Sequence, residues 1–190
     1  MGGRSPTLLL MAIIFFIFIL QNLFDLDFLA FVPAKVLQKP WTLITSMLLH
    51  ADVEHIFFNM FALFLFGTYL ERFISYKEYI ILFLISGIFG NIGYMLTTPE
   101  INLPVVGASG SIYGIMGCLA ALRPFAVIYI YFTPIPLVLA AVLWAITELL
   151  GIFTPSYIAH GSHLFGLLFG VFFGLYMKKR LSSIKYKFYM

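Results

Sequence analysis

Charge is what this sequence has least of. Only 10% of its 190 residues are Asp, Glu, Lys or Arg, against about 25% in an average soluble domain. A chain that poor in charge cannot cover itself with a water-facing surface. Cysteine is reduced to Cys118, which excludes an intrachain disulfide and a cysteine-built metal site; in its apolar run it is expected to pack. The net charge of +3 is concentrated at the end of the chain, in Lys178, Lys179, Arg180, Lys185 and Lys187. A basic tail beside an apolar run points to anionic lipid at a cytoplasmic face and not to nucleic acid.

Apolar residues are abundant instead. They make up 62% of the chain, with a mean hydropathy of +1.03, so the main solvent is expected to be lipid. The length suits one domain, 1–190. Apolar runs near 7–28, 49–70, 79–97, 109–122, 134–152 and 158–177 approach the about 20 residues that a spanning helix requires. Pro, Gly or charge separates them, as at Glu71-Arg72, Thr98-Pro99-Glu100, Arg123-Pro124 and Thr154-Pro155. The first run follows Arg4, but it is long for a signal peptide and lacks an Ala-x-Ala-like end, so it is expected to be a retained span. The predicted fold is all-α, a polytopic bundle of six transmembrane helices. Six spans place both termini on one side, and Arg4, Arg72, Lys77, Arg123 and the tail make that side cytoplasmic. Lys35 and Lys39 are exceptions, near Asp25, Asp27, Asp52 and Glu54.

Two stretches break the pattern. Asp27 to Ser46 is too polar to span and long for a connection; its Phe28, Leu29, Phe31, Val32, Val36, Leu37 and Trp41 suit the outer leaflet interface. The fourth run, from Ser109 to Leu122, supplies only about 21 Å of helix at about 1.5 Å per residue, against a hydrocarbon core of about 30 Å. It is therefore a short central fourth helix that starts below the surface. Non-helical backbone at that depth needs surrounding protein or water, so an outward-opening, water-accessible cavity is expected with Ser109 at its floor.

Ser109 stands in Gly107-Ala108-Ser109-Gly110. A serine at a helix start is commonly an N-cap. The glycines add another use: Gly107, Gly110, Gly114 and Gly117 form a small-residue face, and the helix N-terminus offers free N–H groups to a developing oxyanion. All four histidines, His50, His55, His160 and His163, fall in the same outer layer. Ionisable groups there are costly and mark function. His55 and Asn59 share a helical face, and Asn59 is deep enough to require a partner across helices or on a substrate. His163, Gly166 and Gly170 share another face, which brings His163 over Ser109 as a general base. Glu148 is the one carboxylate in the outer half of a helix; lining and structural pairing are both open to it, and a Ser-His dyad is the simpler assignment.

These motifs together resemble the rhomboid family of intramembrane serine proteases. The resemblance runs from about Trp41 to Tyr176, leaving a basic tail of about 178–190. The family's Gly-x-Ser-Gly is matched by Gly107 to Gly110, followed by Tyr113. Its two further patterns are matched by His50, His55 and Asn59, and by His163, Gly166 and Gly170. The resemblance implies Ser109 as nucleophile and His163 as base. His55, Asn59 and the Ser109 N–H would form the oxyanion hole, beside Gly107. Tyr113 would stack on His163, and His50 would be structural in the first loop. Glu71 falls where the family has an acidic residue at the inner end of the second span. Phe58 and Trp144 would face a gate at the fifth span. Where the family often has Arg after the loop tryptophan, Trp41 is followed by Thr42.

The function so implied is hydrolysis of peptide bonds in or near transmembrane helices of other membrane proteins, without cofactor or metal. The partners are membrane-protein substrates and the bilayer, and the location is the cell membrane. The alternative is a non-catalytic rhomboid-like protein that binds membrane proteins. A zinc hydrolase would need a His-Glu-x-x-His or comparable ligand set, and a transporter would favour inverted repeats; neither pattern is in the sequence.

Overall fold

The computed structural model describes residues 5–187 apart from 131, with side chains through 180. Arg4 and the side chains of Lys185 and Lys187, expected on the cytoplasmic face, lie outside the described residues. Six apolar helices occupy the expected runs: α1 (Pro6–Gln21), α2 (Val53–Leu70), α3 (Tyr76–Thr97), α4 (Ser109–Leu122), α5 (Leu137–Gly151) and α6 (His160–Lys187). Helices α2, α3 and the His160–Arg180 part of α6 are long and apolar enough to cross a membrane, whereas α1, α4 and α5 are shorter apolar helices. Helix α1 ends sooner than the 28 expected, because the Asn22 N–H already closes the last turn onto Ile19 and Leu20.

The chain is mostly helical but not wholly so. Between α4 and α5, β1 (Val127–Ile130) pairs antiparallel with β2 (Thr133–Pro136), Val127 opposite Pro136 and Ile130 opposite Thr133. Pro134 and Pro136 lack the N–H a helix needs, and Val127, Ile128, Ile130 and Thr133 favour extended backbone. Phe132 takes φ 66°, the positive value that two-residue hairpin connections use.

Helix α4 is the axis of the bundle. Gly110, Ser111, Ile112, Gly114, Ile115, Met116, Gly117, Cys118, Leu119 and Ala120 are all buried. Its closest neighbour is α6, and the approach depends on glycine. A Cβ on Gly166 would overlap the Gly110 carbonyl, one on Gly170 the Gly114 carbonyl, and one on Gly117 the Leu167 carbonyl. The small-residue face read from spacing is thus a backbone-to-backbone contact, of the kind that lets membrane helices associate closely.

Contacts sort the helix ends into two layers. In one layer Ser5 Oγ donates to Glu71 Oε2 at 2.8 Å, capping α1 from the end of α2, and Arg180 meets Glu78 at 2.6 Å. In the other layer Gln21 exchanges two hydrogen bonds with the His50 backbone, Nε2 donating to its carbonyl at 2.5 Å and Oε1 accepting its N–H at 3.0 Å. Gly161 packs there against Thr97. The starts of α2, α4 and α6 all lie in this second layer, which puts the four histidines in the same layer as Ser109.

The long first connection is folded onto that layer. Phe31 and Val105 exchange backbone hydrogen bonds at 3.1 and 2.8 Å, and Phe31 is fully buried. Phe28, Leu37 and Trp41 are exposed as expected of interfacial residues; Phe31 is not, because its pairing turns it inward against the strand-like segment before α4.

Candidate active site

Asp52 opens α2 by accepting the His55 N–H on Oδ1 at 2.7 Å, which seats His55 in the first turn. The Ala51 N–H donates to His55 Nδ1 at 3.4 Å. A neutral ring accepting at Nδ1 carries its proton on Nε2, and Nε2 lies on the side of Gly107, where a Cβ would collide with the ring. Gly107 has φ 121°, a conformation open to glycine and strained for other residues. Its N–H donates to the Ser46 carbonyl at 2.9 Å. Asn91 Nδ2, from α3, in turn donates to Ser46 Oγ and to the Leu43 carbonyl, each at 2.9 Å. The first connection therefore fixes the backbone that delivers Ser109.

Ser109 is the first residue of α4, half-buried, and is not the N-cap; that position belongs to Ala108. The first N–H groups of the helix have no intrahelical acceptor, and the dipole end favours negative charge. His163, in the first turn of α6, places Nε2 at 2.8 Å from Ser109 Oγ. His160, which sequence alone did not exclude from that place, points instead at α5, with Nδ1 at 2.6 Å from Glu148 Oε2. Tyr113 lies one turn along α4 and stacks on the His163 ring.

Asn59 is buried one turn below His55 and donates an amide hydrogen to the His55 carbonyl at 2.9 Å, while its Oδ1 is buried with no hydrogen-bond partner among the described residues. His50 is fully buried in the turn before α2, its ring edge-on to His55 with centroids 5.0 Å apart. Burial is the main cause that holds its imidazole down at about 3, with the neighbouring His55 adding to it. Gly166 contributes through the α4 contact. Of the two aromatic residues expected at a gate, Trp144 packs edge-on to Phe66 at 5.7 Å, bridging α5 and α2, and Phe58 is exposed on the outer face of α2.

The sequence leaves the role of Glu148 open; the structure places it beside His163. It is buried, accepts the Tyr113 hydroxyl on Oε1 at 2.5 Å, and brings Oε2 within 3.2 Å of His163 Nδ1. The signal available was its isolation, since a lone carboxylate inside an apolar helix requires partners. Glu148, His160 and His163 offer ligand atoms within 4.8 Å of one another, close enough to bridge a cation, although their hydrogen bonds already engage the carboxylate. A broad cleft of about 690 Å³ opens beside His160, lined by Tyr94, Thr97, Leu103, Gly151, Tyr157 and others; neither Ser109 nor His163 lines it.

A family model described as Rhomboid domain matches residues 37–180. The chain belongs to the rhomboid family. It is 44% identical over 77 residues to a putative rhomboid protease, YdcA, of Bacillus subtilis, covering 40% of this chain and 38% of that protein. It is 30% identical over 155 residues to the mitochondrial Rhomboid protein 1 of Saccharomyces cerevisiae, covering 75% and 43%. A further similarity, 27% over 79 residues, covering 42% of this chain and 22% of that protein, is to an inactive RHOMBOID-like protein 8 of Arabidopsis thaliana. The chain spans less than half the length of these curated relatives. A rhomboid domain and apolar helices make it an integral membrane protein whose family includes named proteases.

Proposed function

We propose that this rhomboid-family chain is an intramembrane serine endopeptidase that cuts other membrane proteins in or near their transmembrane helices, with Ser109 as nucleophile and His163 as general base. The observation that carries the proposal is the 2.8 Å separation of His163 Nε2 and Ser109 Oγ, because a serine hydroxyl becomes a nucleophile only when a base takes its proton. Ser109 Oγ attacks the scissile carbonyl as its proton passes to His163 Nε2. The resulting oxyanion is met by the Ser109 N–H, His55 Nε2–H next to Gly107 and the second amide hydrogen of Asn59, the kind of donors that stabilise developing negative charge. His163 then gives the proton to the leaving amine, and water resolves the acyl-enzyme by the same exchange.

All six helices span the bilayer in this proposal, with both termini cytoplasmic in the cell membrane. The layer holding Ser109 is then the outer one, and water reaches it through an outward cavity. Helical amide bonds shield a carbonyl, so substrates carry Gly, Pro or polar residues near the cut. No metal or cofactor takes part. A non-catalytic, client-binding role is the second reading, and an inactive relative makes it a real one; the bonded Ser109 and His163 favour catalysis. The test is cleavage of a single-span substrate in liposomes. Ser109→Ala and His163→Ala should each abolish it, insensitive to chelator in wild type, and cutting at the wild-type position by either variant would refute the proposal.

A further inference from the structure

Glu148 is unusual because side chains from three positions converge on one buried carboxylate. Tyr113 of α4 takes Oε1, while His160 and His163 of α6 both face Oε2, at 2.6 and 3.2 Å. Space for this is reserved at Gly151, one turn along α5, where a Cβ would overlap the His160 ring. A carboxylate in an apolar helix is costly to bury and needs several partners; here one of its neighbours, His163, is also the residue that meets Ser109.

We propose that Glu148 is a positioning residue for His163, making the pair a Ser109–His163–Glu148 relay in which His160 and Tyr113 hold the carboxylate in place. This inference rests on the proposed catalytic function. A neutral imidazole has one N–H. If Nε2 is to accept the Ser109 proton, the ring's own proton sits on Nδ1, and an ionised carboxylate, which only accepts, selects that tautomer. Oε2 at 3.2 Å is the acceptor in reach of the buried Nδ1, although the angle falls short of a well-formed hydrogen bond. At rest, His160 holds the shorter contact on the same oxygen. Once His163 becomes an imidazolium, its attraction for Oε2 grows, so the stabilisation increases toward the transition state, as catalysis requires. The proton moves from Ser109 Oγ to His163 Nε2 and back to the leaving amine; Glu148 stays ionised and takes none. A carboxylate with the same role orients the histidine of unrelated serine proteases.

The test uses the whole protein in micelles with ¹⁵N-labelled histidine, which gives four rings only, and long-range ¹H–¹⁵N spectra that report each tautomer. His163→Asn assigns the His163 signals. In wild type His163 is expected as the Nδ1–H form. In Glu148→Gln it should shift toward Nε2–H, with kcat falling about tenfold or more and KM within about twofold. An Nε2–H form in wild type overturns the proposal whether or not the variant folds. So does an unchanged tautomer with unchanged kcat in a folded Glu148→Gln protein. Failure of Ser109 in the wild type to react with a fluorophosphonate would sink the protease assignment instead, leaving the tautomer result to stand separately.

Discussion

Tyr113 lies flat against His163, with ring centroids 4.4 Å apart and planes 5° apart. The stack holds the imidazole on one face while Ser109 and Glu148 meet it at opposite edges, so the ring has little freedom to turn. Stacked aromatic pairs contribute about 0.5–1.5 kcal/mol beyond area burial. Tyr113→Ala should therefore lower kcat by up to about tenfold, whereas Tyr113→Phe, which keeps the stack and loses only the hydroxyl bond to Glu148, should lose less. Steady-state cleavage by the two variants checks this; equal losses would mean that the ring face is irrelevant.

The glycine contact between α4 and α6 predicts a stability effect without chemistry. Gly170→Ala places a methyl against the Gly114 carbonyl, and backbone on both sides leaves nothing flexible to yield. Overpacking of this kind costs about 1–3 kcal/mol. Thermal unfolding in micelles should show Gly170→Ala well below wild type, while Leu168→Ala, on the exposed face of α6, stays within about 0.5 kcal/mol. A Gly170→Ala protein as stable as wild type would contradict the close approach.

Gly107 makes a different demand. Its φ of 121° and the His55 ring beside it mean that Gly107→Ala both strains the backbone, by about 1–3 kcal/mol, and displaces an oxyanion donor. Cleavage should fall, by about fivefold for about 1 kcal/mol and about 150-fold for about 3 kcal/mol, with the helical circular dichroism preserved. Wild-type kinetics in this variant would remove His55 and Gly107 from the site.

His50 predicts a pH dependence. Burial lowers its folded-state value to about 3, below about 6.5 for an unfolded chain. Between those values the unfolded state binds the extra proton, so stability is full above about pH 6.5 and falls with acidification, by at most about 1.4 kcal/mol per pH unit. Denaturant titrations at pH 7 and pH 5 should show wild type losing more stability than His50→Gln; parallel losses would assign the acid sensitivity to other groups.

Much of this was legible in the sequence, and the residues say why. Apolar length gave the helix positions, and the four-residue recurrence of Gly110 and Gly114 on α4, and of Gly166 and Gly170 on α6, gave their contact. That contact also favours His163 over His160: His163 stands seven residues, about two turns, before Gly170 and so lies on its face, whereas His160, ten residues before it, is turned about 80° round the helix. Glu148 was visible as an isolated carboxylate, but its partners lie 12 to 35 residues away and depend on how α4, α5 and α6 meet. Phe31 was placed at the lipid interface by composition. Its backbone pairing with Val105 is a long-range contact that no local pattern encodes. The β1–β2 hairpin was hidden because its residues are as apolar as the helix that follows, and only Pro134 and Pro136 marked the break.

The central claim is that Ser109 is an activated nucleophile with His163 as its base, and covalent labelling tests it most directly. Wild-type protein in micelles, treated with a fluorophosphonate and mapped by peptide mass spectrometry, should carry the adduct on Ser109. Ser109→Ala should carry none, and His163→Ala little. An adduct that persists in Ser109→Ala, or that forms as readily in His163→Ala, would contradict the account.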